Sequence, residues 1–174
     1  MIRSHTLDAR LGRRQALRLG FLGLAALAAT EISGLVAPFL RVTRVEGLGN
    51  PIAVGTASEL LDAFAKTADR PILNYAGRFF LLHAPGGIVA AYRKCTHLGC
   101  SVPFNASEDR FHCVCHQSVY DKHTALLLEG PAPRGLDLFH LRDVEGTLVV
   151  DTNPLTVMRR DDNRWDPTHV EVSA

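Results

Sequence analysis

The chain has 174 residues, with 19 Lys and Arg against 18 Asp and Glu, so its formal net charge is +1. This near balance gives no reason to expect nucleic acid or another polyanion as a partner, and we expect none. Four cysteines are too few for a disulfide scaffold of this length. All four lie between Cys95 and Cys115, a clustering that cysteines scattered through a core would not show.

The first 40 residues have the composition of a membrane anchor. Residues 1–18 form a basic segment, expected in the cytoplasm, with arginines at Arg10, Arg13, Arg14 and Arg18. Residues 19–40 are largely apolar with a single charge, Glu31, and, at about 1.5 Å per residue, are long enough to cross a bilayer as one helix. Because a charge at mid-helix costs roughly 2.5–3.5 kcal/mol, we expect Glu31 to face a partner helix or to lie nearer one end of the span.

The pair Arg13-Arg14, followed by Gln15-Ala16-Leu17, resembles a twin-arginine export signal, although Ala16 stands where that signal prefers Phe. That route exports proteins already folded around a cofactor. Ala26-Leu27-Ala28 could serve as a cleavage site, but the apolar run is longer than the 7–15 or so residues of a secretory signal. We therefore expect an uncleaved, single-pass anchor.

A linker or hinge is predicted at residues 41–50, followed by an all-β domain of short antiparallel strands at residues 51–157. Hairpin turns are predicted at residues 84–87 and at Glu145-Gly146. The polar residues 158–174 predict a C-terminal surface tail. The predicted elements of the domain are a helix at 58–64 and strands at 72–75, 78–83, 88–93, 102–105, 110–113, 136–141 and 147–151.

Two short segments, CTHLGC at 95–100 and CVCHQS at 113–118, carry the chemistry. Their metal-binding residues give C-x-H, fifteen intervening residues, then C-x-x-H. Two Cys–His pairs suit a [2Fe–2S] cluster in which two thiolates bind one iron and two imidazoles bind the other. Zinc is the structural alternative, although zinc fingers usually pair Cys with Cys and His with His. The predicted metal ligands are Cys95, His97, Cys113 and His116.

CTHLGC followed by CVCHQS resembles the Rieske iron–sulfur protein family, in the disulfide-bearing, high-potential branch found with quinol-oxidising cytochrome complexes. The resemblance covers roughly residues 70–151. It implies an all-β Rieske domain whose [2Fe–2S] cluster has Cys95 and Cys113 on the buried iron and His97 and His116 on the outer iron. It also implies a disulfide between Cys100 and Cys115, which an oxidising compartment would preserve.

The resemblance assigns further residues around the cluster. Ser118 and Tyr120 match positions whose side chains hydrogen-bond cluster or ligand sulfur, which stabilises the reduced cluster and raises its potential. Residues 130–133 resemble a proline loop that covers the cluster's third side. The remaining residues expected against the cluster are Pro131, Pro133 and Leu98.

Two residues depart from the family pattern. Gln117 stands where the family usually has Gly, and Val114 where it often has Pro. Gln117 puts the local backbone turn in doubt, because Gly adopts backbone angles that Gln disfavours. Neither residue is a predicted ligand, so we still expect the cluster to bind.

The function implied by the resemblance is electron transfer from quinol to a cytochrome haem. An exposed His116, with His97 beside it, could bind the quinol hydroxyl and take a proton as the cluster takes an electron. The chain would be the iron–sulfur subunit of a membrane quinol:cytochrome oxidoreductase, beside a cytochrome b subunit and a c-type cytochrome, with its head on the periplasmic or extracellular side. Two alternatives remain: the small subunit of an exported molybdenum oxidase of the arsenite oxidase type, and a membrane-tethered structural module with a zinc-bound tip.

Overall fold

The computed structural model describes residues 12–40 and 47–173, which belong to an N-terminal helical unit and a β-rich domain. In the first unit, α1 runs from Arg13 to Leu40. Its stretch Arg13–Pro38 has a mean hydropathy of 1.8, so it is long and apolar enough to cross a membrane. This confirms the helix predicted at residues 19–40 and extends it backwards over the Arg13-Arg14 pair. Arg10 and the rest of residues 1–11 lie outside the described residues.

The β-rich domain consists of short strands with one α-helix. Its described elements, in chain order, are β1 (Pro51–Gly55), α2 (Ala57–Lys66), β2 (Ile72–Asn74), β3 (Phe79–Ala84), β4 (Gly87–Tyr92), β5 (Phe104–Asn105), β6 (Arg110–His112), β7 (Val119–Tyr120), β8 (Leu127–Glu129), β9 (Leu138–Val144), β10 (Thr147–Asp151), a 3-10 helix (Pro167–His169) and β11 (Val172–Ser173).

The strands form two antiparallel sheets, and the smaller is an insertion into the larger. The large sheet has the order β1-β10-β9-β4-β3-β2, with β11 also pairing with β4. The small sheet has the order β5-β6-β7-β8. Because β4 and β9 are hydrogen-bonded neighbours, the chain leaves the large sheet after β4 and returns to it at β9. Both CTHLGC and CVCHQS lie within this excursion.

Helix α2 covers part of the large sheet, and its start has a clear local cause. Thr56 caps the helix by accepting a hydrogen bond from the Glu59 amide, while Glu59 accepts one from the Thr56 amide. This reciprocal pair satisfies two amides that the first turn leaves without partners. Leu60 and Phe64 then face inward and are buried.

The buried side chains form two clusters. One joins α2 to the large sheet and includes Phe64, Phe79 and Phe139. The other extends into the small sheet and contains the Cys95 and Cys113 thiols as well as apolar groups. The candidate site is therefore built on a packed core and not on an isolated loop.

Most of the predicted elements are confirmed. The helix at 58–64 is α2, and the seven predicted strands are β2–β6, β9 and β10, with ends displaced by up to three residues. Both hairpin turns are present: Ala84 pairs with Gly87, and β9 and β10 meet around Glu145-Gly146. The strands that sequence reasoning missed are β1, β7, β8 and β11. Two of these have only two residues, too few to show an alternating pattern.

The prediction of a surface tail at residues 158–174 is wrong. Met158 pairs with Leu138, and β11 adds a strand to the large sheet. Arg160 is 1% exposed and donates hydrogen bonds to the carbonyls of Leu136, Thr124 and Ala125. Burial lowers the pKa of Arg160 to about 10, so its side chain is still charged at neutral pH. A polar sequence does not show that Arg160 is buried, because its partners are backbone carbonyls distant in sequence.

The predicted linker at residues 41–50 is too long at its C-terminal end. The Leu48 amide donates to the Ala76 carbonyl, and the Gly49 amide donates to Thr152. Gly47 is buried, and a Cβ at that position would lie 2.9 Å from the Ala76 carbonyl oxygen. The domain thus includes residues 47–50, and the rest of the predicted linker, residues 41–46, lies outside the described residues.

We expect Arg160→Met to destabilise the domain by about 2–4 kcal/mol, because it leaves buried carbonyls without hydrogen-bond donors. The measurement is urea unfolding of the full chain in detergent, followed by fluorescence of Trp165, the single tryptophan. The matched control is Arg159→Met, since the Arg159 side chain is 63% exposed, and we expect a change within about 0.5 kcal/mol. Equal effects of the two substitutions would contradict a structural role for Arg160.

Candidate metal centre

The first ligand loop, residues 93–103, connects β4 to β5 and contains a tight turn around Cys95. The Cys95 amide donates to the Cys100 carbonyl (2.8 Å), and the Gly99 amide donates to the Cys95 carbonyl (2.9 Å). Gly99 has φ +82°, in the left-handed region that favours glycine. The turn places the Cys95 side chain inward, where it is 2% exposed.

The second ligand loop, residues 113–118, connects β6 to β7 and repeats this turn. The Cys113 amide donates to the Ser118 carbonyl (2.8 Å), and the Gln117 amide donates to the Cys113 carbonyl (2.9 Å). Gln117 has φ +61° and holds the place that Gly99 has in the first loop. The expected conflict at Gln117 is therefore present: a residue with a Cβ adopts the left-handed conformation.

The structure brings the four predicted metal ligands together. Cys95 and Cys113 are both buried and both free thiols. The rings of His97 and His116 lie 4.7 Å apart between centroids and are nearly perpendicular, at 88°. Two thiols and two imidazoles at one place could hold a [2Fe–2S] cluster with two ligands of each kind.

The histidines differ in exposure, and one of them has a buried nitrogen that lacks a partner. His116 is exposed and His97 is half-buried. Within the described residues, Nδ1 of His97 is buried and accepts or donates no hydrogen bond. A buried polar atom without a partner is costly, and a bond to a metal would satisfy it. The donor set and this atom both fit an iron–sulfur cluster.

A disulfide between Cys100 and Cys115 joins the two ligand loops, as predicted, with their Cα atoms 6.7 Å apart. The Sγ atoms of Cys100, Cys113 and Cys115 lie within 4.8 Å of one another. Since two of these sulfurs are bonded to each other, only Cys113 of the three is free to bind a metal. The disulfide thus packs directly against one predicted ligand and closes the loops around it.

Tyr120, on β7, is fully buried, and its hydroxyl oxygen lies 3.1 Å from Sγ of Cys95. Burial, and then this hydrogen bond to Cys95, raise the pKa of Tyr120 well above its ordinary value. Burial opposes ionisation of Cys95, but hydrogen bonds led by the one from Tyr120 outweigh it and lower the pKa of this thiol. Both directions favour Tyr120 as the donor and the sulfur of Cys95 as the acceptor, and the thiolate form of a cysteine is the one that binds a metal.

The predicted proline loop at residues 130–133 lies in a longer segment, residues 130–137, and this whole segment is called the proline loop from here on. It is held against both ligand loops by hydrogen bonds of its backbone. The Ala132 amide donates to Oγ of Ser118 (3.2 Å), and Oγ1 of Thr96 donates to the Arg134 carbonyl (2.6 Å). Gly130 has φ +102°, and a Cβ there would lie 2.6 Å from Cα of Ser118, so glycine is required for this approach.

The remaining residues predicted to contact the cluster have defined positions, and their contacts with the cluster stay predictions. Ser118 is fully buried and serves as an acceptor for the proline loop, while its expected bond to a sulfur stays a prediction. Pro131 and Pro133 are exposed on the proline loop. Leu98 is 70% exposed beside His97.

Sequence reasoning missed a side-chain brace under the second ligand loop. His112 is next to Cys113 in sequence and, on an extended strand, its side chain points to the opposite side. Its Nε2 lies 2.7 Å from Oε1 of Gln117, and its Nδ1 lies 2.9 Å from a carboxylate oxygen of Glu108. The chain Glu108–His112–Gln117, named here the brace, holds the side chain of the one residue that takes glycine's place in the turn. The signal available in sequence was Gln117 itself, a departure that needed a compensating contact.

We expect His112→Ala to shorten the lifetime of the bound cluster, because it releases Gln117 in its left-handed conformation. The same substitution made together with Gln117→Gly should have no such effect, since glycine adopts this conformation without support. The measurement is loss of the cluster's visible absorption with time at fixed temperature, for the four members of this double-mutant cycle. Equal losses from His112→Ala in both backgrounds would contradict the brace.

Comparison with known proteins identifies the fold around these four residues. The family described as the Rieske [2Fe-2S] domain matches residues 50–140, just over half of the chain. That match includes both ligand loops and the proline loop.

Named relatives agree with this match. The cytochrome b6-f complex iron-sulfur subunit of Synechococcus elongatus is 45% identical over 71 residues, which are 41% of this chain and 39% of that protein. The cyanelle b6-f iron-sulfur subunit 1 of Cyanophora paradoxa is 32% identical over 155 residues, which are 80% of this chain and 63% of that protein. The chain thus spans about two-fifths of the first relative's length and under two-thirds of the second's.

Among solved structures, the plasma membrane Rieske protein of Synechocystis aligns with 57% of this chain and 97% of its own, at 25% identity and a TM-score of 0.42. The family match and the donor set lead to one conclusion about the cofactor. The chain belongs to the Rieske [2Fe–2S] family, and its cofactor is a Rieske-type [2Fe–2S] cluster.

Proposed function

We propose that this chain is the Rieske electron-transfer subunit of a membrane quinol:cytochrome oxidoreductase, in which Cys95, His97, Cys113 and His116 hold the cluster. The observation that carries the proposal is the state of these four side chains: two buried free thiols and two imidazoles in ring contact, one of them exposed. The names of the relatives, which are b6-f iron-sulfur subunits, support the same assignment. By this proposal the subunit is part of an oxidoreductase and not a complete enzyme alone.

When bound, the cluster supplies one-electron oxidation and reduction, at a potential raised by neutral imidazole ligands in place of two thiolates. The protein's own contribution is to adjust that potential. Tyr120 donates to the sulfur of Cys95 and so lowers the cost of the extra electron's charge. The disulfide and the proline loop hold both ligand loops at fixed positions around the site.

The exposed end of the site suits a quinol. His116 can accept a hydrogen bond from the quinol hydroxyl and take its proton, since its ring is open to solvent. Leu98 and Val114, one on each ligand loop, are 70% and 69% exposed. These two apolar side chains flank the histidines and would pack against a quinone ring or against the cytochrome b surface that binds it.

The N-terminal helix supplies the membrane anchor in this proposal. Arginines before the apolar run favour a cytoplasmic N-terminus, so the domain would lie on the periplasmic or extracellular side. The Cys100–Cys115 disulfide suits that oxidising side of the membrane. The twin-arginine pair fits export of a domain folded around its cluster, and the partners would be a cytochrome b subunit and a c-type cytochrome.

Purification of the chain with its partners from the native membrane tests this function. We expect b-type and c-type haem to co-purify with a Rieske electron paramagnetic resonance signal that appears when quinol is added. A molybdenum cofactor in place of the haems would assign the chain to the arsenite oxidase type of complex. A reduced protein without a Rieske signal would exclude both.

We expect Tyr120→Phe to lower the midpoint potential of the cluster, because it removes a hydrogen bond that favours the reduced state. A net bond of about 1 kcal/mol corresponds to about 40 mV for a one-electron couple. Potentiometric titration followed by circular dichroism measures this change. Tyr92→Phe is the control, since Tyr92 is also buried but packs against Phe139 in the other core cluster. The midpoint potential of the cluster should be unchanged in this variant.

We expect Leu98→Asp to reduce quinol oxidation by the purified complex at least tenfold while leaving the Rieske resonance signal in place. The physical reason is that a carboxylate at the tip must lose its water when the tip docks on an apolar surface. Leu155→Asp is the matched control, since Leu155 is 91% exposed and distant in sequence from both ligand loops. Unchanged turnover in the Leu98 variant would argue against docking through this tip.

A further inference from the structure

A groove lined by positive side chains runs along the domain to the first ligand loop. It consists of two adjoining cavities that share Tyr75 and Arg93. One is lined also by Arg70, and the other by Arg78 and Lys94. We name this surface, defined by Arg70, Arg78, Arg93 and Lys94, the basic groove.

The positive charge of the basic groove is not neutralised within residues 12–40 and 47–173. None of its four cations forms an ion pair there, and no described Asp or Glu lines either cavity. The domain as a whole is acidic, since residues 47–173 contain 12 Lys and Arg against 15 Asp and Glu, a net charge of −3. One third of the domain's cations therefore lie in a single groove on an otherwise negative body, which focuses a local positive potential there.

Aromatic rings contact two of the three arginines of the groove, Arg93 and Arg70, without cancelling their charge. The Arg93 guanidinium carbon lies 5.8 Å from the Tyr75 ring centroid and 5.9 Å from that of Phe80. Its Nε also donates to the Val102 carbonyl. The Arg70 guanidinium lies 5.9 Å from the Phe104 ring centroid. Such contacts fix a cation at little conformational cost on binding and leave it able to attract an anion.

One end of the basic groove is the first ligand loop itself. Gly99 and Ser101 line the cavity that contains Lys94. A Cβ on Gly99 would lie 3.2 Å from Cε of Lys94, so the lysine stem packs against the turn that carries Cys95 and His97. A molecule seated in the groove would touch the loop that holds two of the four ligands.

We propose that the basic groove docks an electron-carrier protein whose prosthetic group is rimmed by carboxylates. Docking there places the carrier's haem or other centre against the first ligand loop. The carrier's oxidised iron takes one electron from the reduced cluster, and each centre changes by one oxidation state. Because the groove ends at a ligand loop, a redox protein is favoured over an anionic lipid surface as its occupant. This inference rests on the electron-transfer role proposed above, but not on quinol being the electron donor.

The test compares two probes that share one haem and differ in charge: a basic cytochrome c, and the same cytochrome c with its lysines succinylated so that its surface is acidic. The full chain is placed in nanodiscs of zwitterionic lipid, reduced with dithionite and freed of excess dithionite by gel filtration without oxygen, so that the cluster is the reductant and quinol oxidation is not involved. Stopped-flow absorbance gives the second-order rate constant of haem reduction at low and high ionic strength.

The groove variant is Arg70→Glu with Arg78→Glu, both exposed residues outside the cluster site. The matched control is Arg142→Glu with Arg164→Glu, which are exposed, change the net charge equally and line neither cavity. We expect the groove variant to lower the rate constant with acidic cytochrome c at least tenfold more than the control variant at low salt. The difference should vanish near 0.5 M salt, where charges are screened beyond a few ångströms.

Equal rate constants for the two variants with acidic cytochrome c would overturn the proposal. A loss of rate in the groove variant that depends on anionic lipid in the nanodiscs, and not on the charge of the probe, would also overturn the proposal. That result would assign the groove to the membrane surface. An unchanged Rieske resonance signal in both variants shows that the cluster is intact. Failure of quinol to reduce the cluster would count against the proposed quinol oxidation alone and leave the basic groove standing.

Discussion

The predicted ligand set requires two thiolates, those of Cys95 and Cys113, inside the domain, and this electrostatic constraint accounts for much of the structure around the site. Buried negative charge is costly unless hydrogen-bond donors or cations face it. Tyr120, which lies on β7 and belongs to the same buried cluster as Cys95 and Cys113, supplies one such donor to Cys95. The repeated turn presents each cysteine on the same backbone frame, so that one local solution serves both loops.

The topology explains how two loops distant in sequence come to share one centre. The chain leaves the large sheet after β4, builds the small sheet and returns at β9, which pairs with β4. Both ligand loops and the proline loop belong to this excursion, and their mutual contacts include the disulfide, the His97–His116 ring contact, the Thr96–Arg134 bond and the Ser118–Ala132 bond. The large sheet and α2 then form a stable base to which this site is attached.

Gln117 and Arg160 show how the domain accommodates residues that local rules disfavour. Gln117 occupies a left-handed turn position, and His112, itself tied to Glu108, binds its side chain. Arg160 is a buried charge that forms no ion pair among the described residues, and it is satisfied by backbone carbonyls of the excursion, those of Leu136 and Ala125. In both cases the cost at one residue is offset by contacts that the surrounding fold provides.

The sequence by itself determined the second-loop departure at Gln117, the helix long enough to cross a membrane and most strands of the large sheet, and it predicted the ligand set. These features are encoded locally, in motif spacing, apolar runs and turn residues. Only the tertiary structure decided that residues 158–173 belong to the fold, that His112 supports Gln117 and that four cations line one groove. Each of these depends on residues far apart in sequence, such as Arg160 with Leu136 or Arg70 with Arg93, and no local periodicity records such proximity. Long-range contact is set by how the strands pair, and that pairing brings the four cations of the basic groove together beside the metal centre.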